Sequence, residues 1–290
     1  MLQKCVLLFI VVLINLFFII DSHKTKPQES CPYFPSTPPP YKAYSPINII
    51  TKNAIPANVS TPVNLRDGVF GPLFVINTGY AFEAYGNPVA ISGGKIYGGV
   101  LCGELYSFHK LRAYVSQDPN GRSFNQIDGK GSPLSIALHY YKTEYGSFEE
   151  GLKHPGDGVV LVNYMITHGP VYNIFFILPQ IALLLFRIPG FGIYFAPEIL
   201  LYAWFNIIFI INEYYAFYGS YLDLETGIEY PNVIQIQTAG IYPLLTKSQL
   251  KAFQSLISIN GTLLETVAPL HTQNQPVYLG KGYTETYSLF

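Results

Sequence analysis

The sequence predicts a mainly β domain of the α+β class, in which short strands form an antiparallel sheet and helices are few and short. Aromatic residues make up 16% of the chain and charged residues only 12%, a bias that favours strands over solvated helices. From Tyr41 onward, short apolar segments alternate with turns at Gly, Pro and Asn, as in antiparallel strands. At 290 residues the chain is long enough for one large core and one main domain.

The chain opens with the features of an export signal. Lys4 precedes a run at residues 5–20 that is apolar except for Asn15, and polar residues follow. This order predicts a signal peptide over residues 1–22 and a secreted, lumenal or extracellular protein. Because Ile20 and Ser22 make a poor small-residue cleavage site, the alternative is an uncleaved membrane anchor formed by the apolar run.

Between this signal and the folded domain, the sequence predicts an extended arm at residues 23–40. Six prolines lie there among Ser, Thr and Gln. Such a composition favours polyproline-like backbone over a packed core. The folded domain is therefore expected over residues 41–290.

Export has two chemical consequences for this chain. Cys31 and Cys102 are the cysteines that remain after signal cleavage, and an oxidising compartment would permit them to form a disulfide. Asn58 and Asn260 each begin an Asn-x-Ser/Thr triplet, which makes them candidate glycosylation sites.

Four segments carry the clearest secondary-structure patterns. The segments 133–141, 159–166 and 233–239 are dense in β-branched, aliphatic and aromatic residues, which predicts central strands buried on both faces. The segment 246–256 has apolar residues near helical spacing behind Thr246, which predicts a short helix with Thr246 as its N-cap.

Charge and motifs exclude several classes of function. Lys and Arg number 17 against 18 Asp and Glu, so no net basic field attracts phosphate backbones, and nucleic acid is not an expected partner. The sequence has no internal repeat, no Gly-rich phosphate loop, no nucleophile elbow and no closely spaced pair of Cys or His ligands.

A succession of segments resembles, in order, the landmarks of the α-class carbonic anhydrases. These segments are YSPINI at 44–49, NTGYAF at 77–82, GG at 98–99, IDGK at 127–130, KTEYGSFEEGLKHP at 142–155 and YYAFYGS at 214–220. The resemblance spans about 41–290, is strong before Ile166 and is weak between Thr167 and Glu213. It implies a central twisted, mostly antiparallel carbonic-anhydrase-like sheet with a cone-shaped active site.

The resemblance also shows what this chain lacks. In that family three neutral imidazoles hold zinc tetrahedrally and leave one position open for the water that attacks carbon dioxide. Matched residue by residue, the three ligand positions fall on Arg112, Tyr114 and Ala137. A guanidinium stays protonated and alanine has no donor atom. The resemblance therefore implies a carbonic-anhydrase-related member without zinc ligands, for which no cofactor is expected.

Residues that support the zinc site in the family are changed as well. The Gln and the two Glu behind the ligands fall on Lys110, Ser135 and Phe124, and the proton-shuttling His falls on Tyr80. No residue of this chain is therefore assigned a catalytic or metal-binding role.

Two histidines keep an enzymatic alternative open. His139 lies two residues from Ala137 and shares its face, displaced by about 7 Å along the strand. His109 lies three residues before Arg112 and is expected on the opposite face of the sheet, unless a β-bulge shifts the strand. Under this alternative, relocated ligands would bind zinc and the chain would interconvert carbon dioxide and bicarbonate.

Arg112 itself has two interpretations. It fills the cavity where the family holds zinc, paired with a nearby carboxylate or hydroxyl. In the other interpretation it binds a small anion at the bottom of the cone by charge-assisted hydrogen bonds.

The segment 172–217 is atypical for the family because it contains only three charged residues, Arg187, Glu198 and Glu213. Prolines divide it into lengths too short for membrane spans. It is either an apolar helix folded over the sheet or an exposed patch that binds a protein partner, another copy of the chain or a membrane surface.

Together these observations predict an exported carbonic-anhydrase-related protein that acts as a binding or interaction module, with an unidentified protein partner or self-association. The alternatives are an active zinc enzyme, and a membrane-associated or oligomeric structural component built around the apolar segment.

Overall fold

The computed structural model describes residues 34, 38–57, 64–67, 73–86, 94–118, 121–170, 183, 187–195 and 213–281. Several predictions lie outside these residues: the signal peptide or anchor, nearly all of the Pro-rich arm, Cys31, Asn58 and most of the apolar segment. The domain limits at residues 41 and 290 stay predictions.

Fourteen strands are found in the described part of the chain. They are β1 (Asn48–Ile49), β2 (Ile55–Pro56), β3 (Asn64–Asp67), β4 (Leu73–Asn77), β5 (Phe82–Gly86), β6 (Lys95–Tyr97), β7 (Tyr106–Val115), β8 (Gln126–Ile127), β9 (Leu134–Lys142), β10 (Val159–His168), β11 (Gly192–Phe195), β12 (Glu213–Leu222), β13 (Glu229–Leu245) and β14 (Tyr278–Lys281). Two α-helices lie among the same residues, α1 (Phe148–Gly151) and α2 (Lys247–Gln254). Single 3-10 turns occur at Thr51–Asn53, Gly99–Leu101 and Thr143–Tyr145.

Twelve of these strands form one sheet. Its main path runs β11-β4-β5-β7-β9-β10-β13-β12-β14-β2, and β6 joins β3 to β7. Neighbours are antiparallel except for the pairs β10–β13 and β14–β2, which are parallel. The mainly β, mostly antiparallel architecture is thus confirmed. Within the described residues, no helix is long and apolar enough to cross a bilayer.

The central strands follow directly from their composition. β9 and β10 lie at the middle of the sheet, and almost every residue in them is buried on both faces. Ile136, Leu138, Val160 and Val162 point into the main core. Burial of each such side chain contributes about 1.5–3 kcal/mol, so strands of this composition are stable only inside a layered core. The three predicted central strands are confirmed: 159–166 and 233–239 lie within β10 and β13, and 133–141 matches β9 except for its first residue.

The predicted helix is also confirmed and begins where expected. Thr246 is the N-cap of α2: its hydroxyl accepts a hydrogen bond from the Gln249 backbone N–H, and the Gln249 side chain reaches back to the Thr246 N–H. This reciprocal pair satisfies two donors that the first helical turn leaves open. Leu250 and Phe253 are buried, and the Phe253 ring packs edge-on against Phe82 at 5.7 Å.

Candidate functional site

Four adjacent strands bring one row of side chains to the same face of the sheet. Glu83 on β5 is the direct partner of Arg112 on β7, which pairs with Ala137 on β9, which pairs with Asn163 on β10. Directly opposite residues share a face, so these four side chains form a single row. Two of the three positions matched to zinc ligands therefore meet in this row, and Tyr114 lies two residues beyond Arg112 on the same face.

The row is centred on a buried charge cluster made of Glu83, Lys110 and Arg112. Arg112 Nε lies 2.6 Å from Glu83 Oε1, and Lys110 Nζ lies 3.1 Å from the same oxygen. All three side chains are at most 7% exposed. One buried carboxylate thus serves two buried cations.

Further donors and acceptors complete the charge cluster. Arg112 Nη1 donates to the Leu222 carbonyl oxygen at 2.8 Å, and Nη2 donates to the Tyr221 hydroxyl at 3.3 Å. The guanidinium carbon also lies 5.2 Å from the centroid of the Tyr221 ring. The Tyr85 hydroxyl donates to Glu83. Arg112 therefore ties β7 to the end of β12, and each of its three nitrogens has a protein acceptor.

The pKa values in the charge cluster reflect burial opposed by neighbouring charges. Burial raises the pKa of Glu83, but Arg112 and Lys110 outweigh it, so this pKa lies below its ordinary value. Burial and the nearby Arg112 lower the pKa of Lys110 despite Glu83. Burial also disfavours the charge of Arg112, but Tyr114 and Glu83 raise its pKa above the usual range. Glu83 and Arg112 are thus held in their charged forms.

The other two positions matched to zinc ligands, Tyr114 and Ala137, are packed in apolar surroundings. Tyr114, Phe124 and Ala137 form a small buried cluster, in which the Tyr114 and Phe124 rings stack with centroids 4.5 Å apart. Burial raises the pKa of Tyr114, so its phenol keeps its proton at neutral pH. The Ser123 hydroxyl donates to the Ser135 hydroxyl at 2.8 Å.

The expectation that His109 faces away from the matched positions is wrong. A β-bulge lies between Phe108 and Lys110 in the pairing of β7 with β9, and it inserts His109 as an extra residue. The His109 ring stacks on Phe148 with centroids 4.4 Å apart, and Phe148 also contacts His139 at 5.9 Å. The bulge therefore turns His109 to the face that carries His139 and Lys110.

Both histidines are neutral. Burial and Lys110 lower the pKa of His109 to about 4. Burial, together with Arg112 and Lys110, lowers the pKa of His139 well below its ordinary value. Neither ring nitrogen of His139 has a hydrogen-bond partner among the residues the structure describes.

The residues at the matched positions do not fit a zinc ion. Ala137 offers no donor atom, Tyr114 is a protonated phenol, and the Arg112 and Lys110 charges would repel a divalent cation. Across the described ranges, no group of three His, Cys, Asp or Glu side chains is arranged to hold a metal. We therefore derive no catalytic step through zinc.

Three other residues singled out from the sequence lie elsewhere. Tyr80 is partly exposed in the turn before β5, where its N–H donates to the Thr78 hydroxyl at 3.2 Å. Cys102 is disulfide-bonded, and pairing with Cys31 stays a prediction. Asn260 is exposed.

Sequence reasoning missed Glu83, Tyr85 and the contact of Tyr221 with Arg112. A signal for Glu83 was present, because it is the one charged residue in the sequence between Asp67 and Lys95. A carboxylate in so apolar a stretch indicates a buried partner of opposite charge.

The geometry agrees with a comparison against known protein families. A family model described as eukaryotic-type carbonic anhydrase matches residues 37–184, which is just over half of the chain. The match includes β1 to β10, and therefore all of the charge cluster and the three matched positions.

Proposed function

Since the chain belongs to the eukaryotic-type carbonic anhydrase family, we propose that it is an exported, carbonic-anhydrase-related protein without zinc and without carbon dioxide hydration activity, whose domain serves as a binding module. The observation that carries this proposal is the ion pair of Arg112 with Glu83, in the row of side chains where the family would place a ligand. The guanidinium of Arg112 supplies a fixed positive charge there instead of a divalent metal ion.

The energetics of this ion pair support the loss of zinc. Breaking a buried pair by removing one partner typically costs about 3–5 kcal/mol, because the other charge stays buried and uncompensated. Zinc would have to enter beside Lys110 and Arg112 and would find no imidazole at Ala137. The two nearby cations and the missing imidazole each disfavour zinc binding.

Without a metal, the chemistry of hydration has no source of hydroxide at neutral pH. Zinc lowers the pKa of its bound water to about 7, which is the step that creates the nucleophile. The buried phenol of Tyr114 supplies no substitute base, because burial raises its pKa. A role in recognition is therefore favoured over a role in turnover.

Two observations support export and binding. The disulfide bond of Cys102 is typical of oxidising compartments outside the cytosol. In the described part of the apolar segment, Ile188, Phe191 and Tyr194 are 60%, 63% and 70% exposed. Large exposed apolar side chains close together mark surfaces that contact a protein, another copy or a membrane.

The test is metal content by mass spectrometry on the purified secreted protein, with stopped-flow carbon dioxide hydration measured on the same sample. We expect zinc far below one ion per chain and no inhibitor-sensitive rate. The matched variant carries Arg112→His, Tyr114→His and Ala137→His together, and it tests whether three imidazoles restore metal binding. Stoichiometric zinc and measurable hydration in the unmodified protein would refute the proposal.

The second candidate is an active enzyme with relocated zinc ligands. The bulge that turns His109 toward the face of His139 is the observation that favours it. If the unmodified chain binds zinc, His109→Ala and His139→Ala should each abolish binding under this candidate. Zinc retained in both variants would eliminate it.

A further inference from the structure

A tight turn after α2 carries a glycosylation triplet at its tip. The Gly261 N–H donates to the Ser258 carbonyl oxygen at 3.0 Å, and the Ser258 N–H donates to the Thr262 carbonyl oxygen at 2.8 Å. Gly261 has φ +79°, a left-handed conformation that glycine adopts without strain. The triplet Asn260-Gly261-Thr262 is therefore built into a closed turn.

Asn260 is placed where a bulky group can be attached without disturbing the fold. Asn260, Gly261 and Thr262 are all exposed. Among the described residues, nothing forms a hydrogen bond with the Asn260 side chain, so its amide nitrogen is available. The turn itself is held on the domain, because the Ile259 N–H donates to the Gly79 carbonyl oxygen at 3.0 Å.

Two large apolar side chains flank Asn260 in the exposed turn. Ile259 is 57% exposed and Leu263 is 48% exposed. The hydrogen bond from the Ile259 N–H to the Gly79 carbonyl oxygen holds the turn on the domain with both side chains exposed. The glycosylation triplet lies between these two exposed apolar side chains in the sequence, so a glycan attached there would be next to apolar surface.

We propose that Asn260 carries an N-linked glycan whose first sugars lie over Ile259 and Leu263. This inference rests on the proposed export of the chain. Asn260 Nδ2 would form the bond to C1 of an oligosaccharide donated from a lipid pyrophosphate, the pyrophosphate would leave with the lipid, and the amide would release one proton. The apolar C–H faces of the sugars cover the side chains, while the hydroxyls stay in water.

The glycan test uses the full chain expressed in a eukaryotic secretory host. Site-resolved mass spectrometry should find a glycan at Asn260 that is lost in Asn260→Gln and Thr262→Ala and retained in Thr262→Ser. Asn58→Gln is the matched control and should leave the Asn260 glycan in place. A secreted chain without a glycan at Asn260 would overturn this inference and leave export intact. A chain that stays in the cytosol would overturn both.

The cover test compares binding of a dye that fluoresces on apolar surfaces. Dye fluorescence should rise in the Asn260→Gln variant over the unmodified protein, and adding Ile259→Ser and Leu263→Ser should remove that rise. Matched changes at the exposed residues Ile55 and Ile228, which lie outside this turn, should not remove it. Equal fluorescence with and without the glycan would show that the sugars do not lie over these side chains.

Discussion

Two lysines are buried to a similar degree in this domain and differ in almost everything else. The side chain of Lys110 is 7% exposed and shares one carboxylate, Glu83, with Arg112. The side chain of Lys142 is 11% exposed and has three carboxylates within 3.4 Å. Those three carboxylates, from Glu104, Glu144 and Asp157, are 33% to 58% exposed, whereas Glu83 is 4% exposed.

The comparison shows that the depth at which a cation is buried and the amount of opposite charge around it are independent of each other. Burial lowers the pKa of Lys110, and the nearby Arg112 lowers it further. Burial also acts against the charge of Lys142, but the hydrogen bonds that its ammonium donates to Glu144 and Asp157 raise its pKa above the usual range. A surplus of carboxylate surrounds the cation of Lys142, and a surplus of cation surrounds the carboxylate of Glu83. The charge cluster therefore has the wrong sign to receive a metal ion.

Removal of Glu83 should have the largest effect. Glu83→Gln keeps the shape of the side chain but leaves Lys110 and Arg112 buried without their shared carboxylate. We expect a loss of about 3–5 kcal/mol in the free energy of unfolding, measured by denaturant titration. Asp157→Asn is the control from the other cluster, where Lys142 keeps two carboxylates. A Glu83→Gln protein as stable as the unmodified one would mean that the charge cluster is hydrated rather than dry.

The same cluster marks where sequence reasoning reached its limit. The central strands were predictable because β-branched and aliphatic residues crowd segments such as 159–166, and α2 was predictable from Thr246. The pairing of Glu83 with Arg112 depends on the register between β5 and β7, which no local pattern reports. The position of His109 depends on one inserted residue. The prediction assumed that side chains alternate strictly between the two faces of the strand, and a β-bulge breaks that alternation.

The pH dependence of stability should differ in sign between the two lysines. The folded pKa of Lys110 lies below its unfolded value near 10.5, so the cost of its buried charge is full below the folded pKa and disappears as the pH rises from there to 10.5. The folded pKa of Lys142 lies above 10.5, so its stabilisation is full below that pH and is lost as the pH rises further.

Lys110→Met and Lys142→Met allow the contribution of each lysine to the pH dependence of stability to be measured. Relative to Lys110→Met, the unmodified protein should gain stability as the pH rises toward 10.5, since its ammonium is then neutralised in the fold first. Relative to Lys142→Met, it should lose stability above 10.5. Unfolding titrations across this range give both differences directly. Two curves with the same slope would show that the surrounding carboxylates do not set the two lysines apart.

The smallest effect should come from Glu144, which is 58% exposed and lies 2.7 Å from Lys142 Nζ. Glu144→Gln leaves Glu104 and Asp157 in place, so we expect a change of only about 0–1 kcal/mol. Added salt should shrink this change further, because solvent reaches the pair, whereas the loss in Glu83→Gln should hardly respond to salt. A salt-independent loss of several kcal/mol in Glu144→Gln would mean that compensation at Lys142 depends on one carboxylate, as it does at Lys110, and the contrast between the two clusters would disappear.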